Sequence, residues 1–258
     1  LNRHNHEYYV LDNTTISDYE FDIKLKELEA LEEAYPEYYN ANSPSQRVGG
    51  TVSKNFQTLQ HKNRMYSLDN SYSKEDLLDW EKRLQKNLGT EAIEFTCELK
   101  YDGASINLTY ENGEFVKAVT RGDGFQGDEV TSNIRTIKSI PLILNADFLS
   151  NFEIRGEIIL PIEGFQKMNQ ERLENGEGTY RNPRNTASGS LKLQDSGEVA
   201  KRPLDCLLYQ VVSNERTYST HFESLEASRE AGFKVPDTII LASSIDEVFH
   251  FVNEWDQK

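Results

Sequence analysis

The sequence predicts an α+β protein in which a small helical subdomain precedes a larger domain of mainly antiparallel sheets flanked by helices. Three observations predict it: helical spacing near the N-terminus, alternating strands joined by hairpin turns in the middle, and capped helices near the end. We place the boundary near residue 55, so the predicted domains are residues 1–55 and 56–258.

The N-terminal subdomain is predicted from one amphipathic helix and its ends. Ser17 opens a capping box of the form S-x-x-E. Apolar residues from Phe21 to Leu28 then recur on one helix face, and Pro36 ends the helix. Residues 40–53 are rich in Ser, Pro, Asn and Gly, a composition that predicts a linker.

The larger domain is predicted from alternating patterns, turn residues and helix caps. Asn112-Gly113 is a typical turn between two hairpin strands. The predicted elements are a helix over Ser73–Leu88 ended by Gly89, strands over Phe95–Lys100, Ala104–Tyr110, Phe115–Thr120, Phe152–Leu160 and Leu204–Val212, and helices that begin near Pro161, Thr220 and Ser244.

The bulk composition argues against several classes of protein. The formal net charge is −15, whereas a domain that binds nucleic acid by itself is normally basic. No apolar run approaches the ~20 residues of a membrane-spanning helix, so we expect a cytoplasmic protein without a membrane partner. Cys97 and Cys206 lie in apolar runs without metal-ligand spacing, which indicates core residues and no zinc site.

The segment Glu98-Leu99-Lys100-Tyr101-Asp102-Gly103 is the centre of the functional interpretation. Strand periodicity predicts Glu98 and Lys100 on one polar face, and the Asp-Gly turn leaves the strand end open to a ligand. A lysine that loses its proton, through desolvation or nearby cations, can attack a phosphorus atom and form a phosphoramidate. The alternative is an ordinary hairpin with solvated charges.

Charged residues further along the chain favour the reactive interpretation. Reactions at a pyrophosphate need cations for the phosphates, a carboxylate for a ribose hydroxyl or a metal, and a nucleophile. Each such group alone is more often a solvated surface charge. The candidate groups lie in Arg121-Gly122-Asp123-Gly124, Arg155-Gly156-Glu157, Arg181-Asn182-Pro183-Arg184-Asn185 and Lys192.

A second motif, Gly122-x-Gly124-x-x-Gly127, matches the dinucleotide-binding pattern G-x-G-x-x-G. That pattern requires a following helix packed on a parallel sheet. Residues 128–141 lack a helical apolar stripe, and the preceding segment is a hairpin. We therefore reject a Rossmann fold.

Taken together, the motifs resemble those of the NAD-dependent DNA ligases over essentially the whole chain. The N-terminal stretch makes the resemblance specific, because other covalent nucleotidyltransferases lack it. The matching segments are Glu7–Asp12, Ile16–Asp22, His61–Asn70, Glu98–Gly103, Thr120–Gly124, Arg155–Glu157, Asn182–Asn185 and Gly189–Lys192.

The resemblance implies a role for each matching residue. Lys100 would attack the α-phosphate of NAD, keep AMP and release NMN, the first step of nick sealing in DNA replication and repair. Glu98 and the backbone near Ser67 and Leu68 would hold adenine, and Tyr209 either stacks on it or is only an apolar strand residue. The other implied cofactor-binding residues are Asp102, Gly103, Arg121, Glu157, Arg184 and Lys192 on the adenosine and phosphate side, and Tyr8, Tyr9, Asp18, Phe21 and Asp22 around the nicotinamide and its ribose.

The chain also departs from the family pattern. Phe21 stands where the family usually has Tyr, which removes a hydroxyl contact, and Lys192 stands where Arg is common, which removes a bidentate phosphate contact. The family's later Asp-Gly-Val-Val-Ile-Lys strand and its OB-fold, zinc, helix-hairpin-helix and BRCT parts do not follow Lys258. We therefore expect a fragment, truncated at the C-terminal end of the nucleotidyltransferase domain, that keeps NMN-side binding but self-adenylates poorly.

The implied cofactors are NAD and Mg²⁺, with Glu157 a candidate metal contact, and the implied ligands are NAD, NMN and AMP. We expect a monomer, with nicked duplex DNA bound by the full-length protein and weakly or not at all by this acidic fragment. Two alternatives remain open. Another covalent nucleotidyltransferase, such as an ATP-type ligase or capping enzyme, would have no use for residues 1–55, and a non-catalytic NAD-binding module would form no covalent adduct.

Overall fold

A computed structural model of the chain describes residues 1–11, 13, 15–48, 55–90, 92–144, 148–215 and 218–256, without the side chains of Asp18 and Val48. The helices are α1 (Asn2–Tyr9), α2 (Asp18–Ala34), α3 (Lys74–Leu88), α4 (Thr131–Ile134), α5 (Ile162–Glu174), α6 (Pro183–Leu191), α7 (Ser196–Ala200), α8 (His221–Glu230) and α9 (Ile245–Asp256). Short 3-10 helices cover Pro36–Tyr38 and Pro44–Val48. The strands are β1 (Thr58–Gln60), β2 (Phe95–Cys97), β3 (Ala104–Glu111), β4 (Glu114–Thr120), β5 (Gln126–Asp128), β6 (Asn151–Ile159), β7 (Asp205–Val212) and β8 (Ile240–Ala242).

The chain divides into two compact units. The first consists of Leu1–Met65 and Tyr101–Val235, and the second consists of Tyr66–Lys100 and Pro236–Lys258. The helices and antiparallel sheets of the two units confirm the predicted α+β class. None of the helices in the described ranges is long and apolar enough to cross a bilayer.

The first unit is built around a four-stranded antiparallel sheet in the order β4-β3-β6-β7. The apolar residues of its central strand β3 alternate as the sequence predicts: Ile106, Leu108 and Tyr110 are fully buried on one face. The hairpin between β3 and β4 turns at Asn112 and Gly113, whose φ values of 53° and 74° suit a tight hairpin turn. The strand pairs of the described residues are antiparallel, which confirms the rejection of a Rossmann fold.

The segment from residue 40 to 48 packs against the rest of the first unit, although its composition predicts a linker. Arg47 is only 3% exposed, and it donates hydrogen bonds to the carbonyl oxygens of Ile137 (2.9 Å) and Ile140 (2.7 Å). Burial lowers the pKa of this guanidinium to about 10. The linker prediction is therefore wrong for this part, while residues 49–53 lie outside the described residues.

The second unit packs α3 and α9 with a two-stranded sheet of β2 and β8. Gly89 ends α3 with φ 68°, as predicted, and the structure adds a capping box at Ser73. The unit's core contains the buried Phe95, Cys97 and Phe251. Cys206 is likewise buried in the first unit, which confirms both cysteines as core residues.

Candidate functional site

Lys100 is an exposed residue just beyond a short, buried strand of the second unit. Strand β2 ends at Cys97, and the ring of Phe95 within it lies 5.4 Å from the ring of Trp80. Glu98 to Lys100 continue outside the strand, so the prediction of one regular strand through Lys100 is wrong. The strand's buried side chains fix where this segment begins and leave Lys100 at the surface.

Ser67 and Leu68 belong to the same unit as Lys100 and lie in the irregular segment before α3. Both are exposed, and the apolar side chain of Leu68 is 77% exposed. Single exposed apolar side chains are common on protein surfaces, so the adenine contact of Leu68 stays a prediction.

The Asp102-Gly103 step leads into β3 of the first unit and requires glycine on steric grounds. A Cβ on Gly103 would overlap the carbonyl oxygen of Ile158 on neighbouring β6. Asp102 is exposed and pairs with Arg184, whose Nη1 lies 2.9 Å from the aspartate Oδ1. Their side chains are 70% and 59% exposed, so the pair adds little stability, but it brings two predicted cofactor-binding residues together.

Ser105 is the point at which three predicted residues meet on the polar face of the four-stranded sheet. Its carbonyl accepts a hydrogen bond from the backbone N–H of Arg121 (3.1 Å), and it pairs in register with Glu157. Its Oγ lies 2.6 Å from the phenol oxygen of Tyr209. Burial raises the pKa of that phenol, and the hydrogen bond to Ser105 opposes the rise. Sequence reasoning missed Ser105 because a small polar residue in an alternating strand carries no motif.

The loop Arg121–Gly124 is a tight turn organised by its own aspartate. Asp123 Oδ1 accepts the backbone N–H groups of Phe125 (2.8 Å) and Gln126 (2.9 Å). The bonds from Gln126 and then Phe125 hold the pKa of Asp123 below its ordinary value. Both glycines of the loop have positive φ, 54° and 91°, which favours glycine. The glycines therefore serve the turn, and the arginine of the loop is exposed.

Two predicted cations, Arg184 and Lys192, lie at opposite ends of helix α6. Asn182 caps its N-terminus by accepting a backbone N–H of the first turn at 2.8 Å, and Arg184 lies in that turn. Lys192 follows the last turn, where its Nζ lies 2.8 Å from Asp128. A rise of about 1.5 Å per residue puts the backbone positions of Arg184 and Lys192 about 12 Å apart along the helix. The two cations pair with different carboxylates, Asp102 and Asp128.

The N-terminal candidates lie on α1 and α2 of the first unit. The rings of Tyr8 and Tyr9 meet edge to face with centroids 4.7 Å apart, and Tyr8 is 47% exposed. On α2, Phe21 is half-buried and Asp22 is exposed. The side chain of Asp18 lies outside the described residues.

Lys138 lies beside two of these candidates and was not singled out from the sequence. Its Nζ is 5.8 Å from the centre of the Tyr9 ring, within cation–π range. Burial lowers the pKa of Lys138, Arg47 lowers it further, and Asp22 opposes both. No motif contains Lys138, and only the packing within the first unit reveals its position beside Tyr9.

Two sequence-family profiles match the chain, and together they decide its family. A profile described as "NAD-dependent DNA ligase adenylation domain" matches residues 53–258, and one described as "DNA ligase-like, N-terminal NAD+-binding domain" matches residues 1–49. The chain belongs to the NAD-dependent DNA ligase family. The resemblance drawn from the motifs is thereby confirmed.

Curated relatives of this ligase family agree with the assignment. The chain is 66% identical to proteins named DNA ligase from Flavobacterium psychrophilum and Flavobacterium johnsoniae, and 48% identical to one from Bacteroides fragilis. The alignments cover 99–100% of the chain but 38–39% of each relative. The chain thus spans about two fifths of the length of these ligases.

Proposed function

We propose that this chain is the adenylation part of an NAD-dependent DNA ligase and that Lys100 takes AMP from NAD. The neutral Nζ of Lys100 attacks the α-phosphorus, an N–P bond forms, and the bond from that phosphorus to the bridging oxygen breaks. NMN leaves with the electron pair, and the amine proton passes to solvent. The observation that carries the proposal is the Glu-x-Lys-x-Asp-Gly segment with an exposed lysine, in a chain that matches both an adenylation and an NAD+-binding family.

The adenosine side of NAD is assigned to residues that the resemblance named. The meeting of Arg121, Glu157 and Tyr209 around Ser105 supports the assignment, because a nucleoside needs a flat apolar contact close to polar groups. Adenine would contact Glu98, Ser67, Leu68 and Tyr209, and the ribose and phosphates would contact Asp102, Gly103, Arg121, Glu157, Arg184 and Lys192.

The nicotinamide side is assigned to the predicted subdomain of residues 1–55, with residues 56–258 as the nucleotidyltransferase domain. Carboxylates there attract the cationic nicotinamide ring, and aromatic side chains offer it a stacking surface. The exposed Tyr8 and Asp22 support this assignment. The proposed contacts are Tyr8, Tyr9, Asp18, Phe21 and Asp22.

Magnesium is proposed as a partner of the NAD phosphates. Mg²⁺ usually keeps several waters and is bound through one or two carboxylates and substrate phosphates. Among the described residues, no group of three or more His, Cys, Asp or Glu side chains is arranged to hold a metal ion, so a cage built only from this chain does not fit them. Glu157 is the candidate single contact, and no step of the proposed reaction depends on it.

The wider role follows from the relatives and stays a proposal. We propose that the protein acts as a monomer in the bacterial cytosol and that nicked duplex DNA, in replication and repair, is the substrate of the longer ligase. The net charge of −15 indicates that other parts of the longer ligase supply most of the affinity for DNA.

Intact mass spectrometry after incubation with NAD and Mg²⁺ tests the adenylation step. We expect a covalent AMP adduct that peptide mapping places on Lys100, an absent adduct in Lys100→Ala, and a far lower yield when ATP replaces NAD. Even a partial adduct is diagnostic when its position is mapped. An unmodified chain after prolonged incubation, or an adduct on another residue, would refute the proposal.

A further inference from the structure

Arg155 on β6 is buried, and its guanidinium donates hydrogen bonds to other groups of the protein. It is 6% exposed, and its Nη2 donates hydrogen bonds to the carbonyl oxygens of Asn63 (2.9 Å) and Arg64 (3.0 Å). Its Nη1 donates to the side-chain oxygen of Gln210 (2.9 Å), and its Nε is buried without a partner among the described residues. Because its two terminal nitrogens already donate to protein oxygens, Arg155 is poorly placed to bind a ligand phosphate directly.

Residues 61–65, here named the brace segment, run beside the Arg121–Gly124 loop. The backbone N–H of His61 donates to the carbonyl of Phe125 (2.8 Å), and that of Met65 donates to the carbonyl of Gly124 (2.9 Å). The ring Nε2 of His61 also lies 3.1 Å from the carbonyl oxygen of Arg121. The loop therefore shares its backbone hydrogen bonds with the brace segment.

The brace segment and the loop lie so close together that the position of the loop depends on that of the brace segment. A Cβ on Gly124 would overlap the carbonyl oxygen of Met65. The guanidinium carbon of Arg64 lies 4.0 Å from the centre of the Phe125 ring, and Asn63 Nδ2 donates to Glu153 on β6 at 3.0 Å. A shift of the brace segment would therefore shift the loop.

We propose that Arg155 is a positioning residue that fixes the brace segment to the sheet and, through it, the exposed Arg121. The inference rests on the proposed function only for the part that Arg121 plays with NAD. A buried arginine bonded to two successive carbonyls fixes the distance and orientation of that segment relative to the sheet, because the donors of the planar guanidinium point in set directions. Arg155 thereby affects NAD binding indirectly, through the backbone contacts between the brace segment and the Arg121–Gly124 loop.

Amide hydrogen exchange on the 258-residue chain tests the first half of the inference without any ligand. In Arg155→Met we expect the amides of His61 and Met65 to exchange about tenfold faster or more, because the segment between them loses the two charge-assisted bonds to the Asn63 and Arg64 carbonyls. Tyr110→Phe is the control, because it removes another buried hydrogen bond of the unit, the 2.6 Å bond to the Pro141 carbonyl. In that control the two amides should exchange as in the parent chain.

Arg155→Lys serves if Arg155→Met does not fold. One ammonium cannot reproduce the directed bonds to both carbonyls and to Gln210, so the same two amides should still exchange faster than in the parent. Exchange equal to the parent in the folded variant would overturn the inference.

A double-mutant cycle with Arg121→Ala tests the second half. We expect Arg155→Lys to reduce the rate of AMP addition from NAD about tenfold in the parent background and to have little further effect when Arg121 is already alanine. An equal loss in both backgrounds would mean that Arg155 does not act through Arg121. If the parent chain forms no adduct at Lys100, the proposed function fails, while the exchange experiment still decides whether Arg155 holds the brace segment.

Discussion

Ser105 and Tyr209 are joined by a 2.6 Å hydrogen bond between the serine hydroxyl and the phenol, across the polar face of the four-stranded sheet. The two residues lie on strands β3 and β7, which are separated by β6. The bond therefore fixes the position of the phenol oxygen at the far end of the Tyr209 ring, and its removal tests the ring's proposed role in NAD binding.

Removal of this bond should weaken NAD binding without unfolding the chain. A neutral hydrogen bond contributes about 0.5–1.5 kcal/mol, so Ser105→Ala and Tyr209→Phe should each weaken NAD binding by a few-fold, up to about tenfold. Calorimetric titration with NAD measures the change. If Tyr209→Ala binds NAD as tightly as the parent chain, the stacking role is wrong.

A methyl group at Gly103 should disrupt the start of β3. The added Cβ meets a backbone carbonyl that cannot move independently, so we expect Gly103→Ala to lose about 1–3 kcal/mol of unfolding free energy or more. Gly178→Ala is the matched control, since nothing lies within 4 Å of a Cβ there. Urea denaturation compares the two, and equal stability of both variants would contradict the steric argument.

Replacement of the buried Arg47 should loosen the attachment of the N-terminal residues. In Arg47→Met the carbonyls of Ile137 and Ile140 lose their donors, and we expect a loss of about 2–4 kcal/mol in unfolding free energy. Lys167→Met changes an exposed cation on α5 and should be nearly neutral. Thermal denaturation with circular dichroism distinguishes these outcomes, and a neutral Arg47→Met would show that the buried bonds contribute nothing.

Acid should release the turn at Asp123. The pKa of this carboxylate is lowered in the folded chain, so its contribution to the turn is complete above its ordinary pKa of 3.8. It is lost as the pH falls through the lower folded value. In NMR spectra the amide shifts of Phe125 and Gln126 should titrate with a midpoint below 3.8. In Asp123→Asn that titration should be absent, whereas a midpoint above 3.8 would contradict the hydrogen-bond assignment.

Local sequence signals predicted much of the secondary structure. The capping box at Ser17, the helix end at Gly89, the Asn112-Gly113 turn and the alternation of β3 are confirmed, because each depends on neighbouring residues. The linker prediction failed where Arg47 is bonded to carbonyls about 90 residues away. Such a contact leaves no trace in the local composition.

The candidate site was predictable only where a motif marks it. Lys100 and Arg121 were found from short motifs, but their local geometry was not, since β2 ends before Lys100. Ser105, Lys138 and Arg155 owe their positions to sheet register and packing, which a single sequence does not encode locally. The strand register and side-chain contacts of the structure were therefore needed to distinguish residues that support the site from residues assigned to the ligand.

The second unit is assembled from two stretches of chain that are far apart in sequence. Its strand pairing joins Phe95 to Ala242, which closes a loop of roughly 150 residues at an entropic cost that grows slowly with length. During synthesis on the ribosome, β2 and α3 emerge long before β8 and α9. The segment that leads to Lys100 therefore acquires its native packing only after β8 and α9 have been synthesised, and Lys100 cannot reach its final position before then.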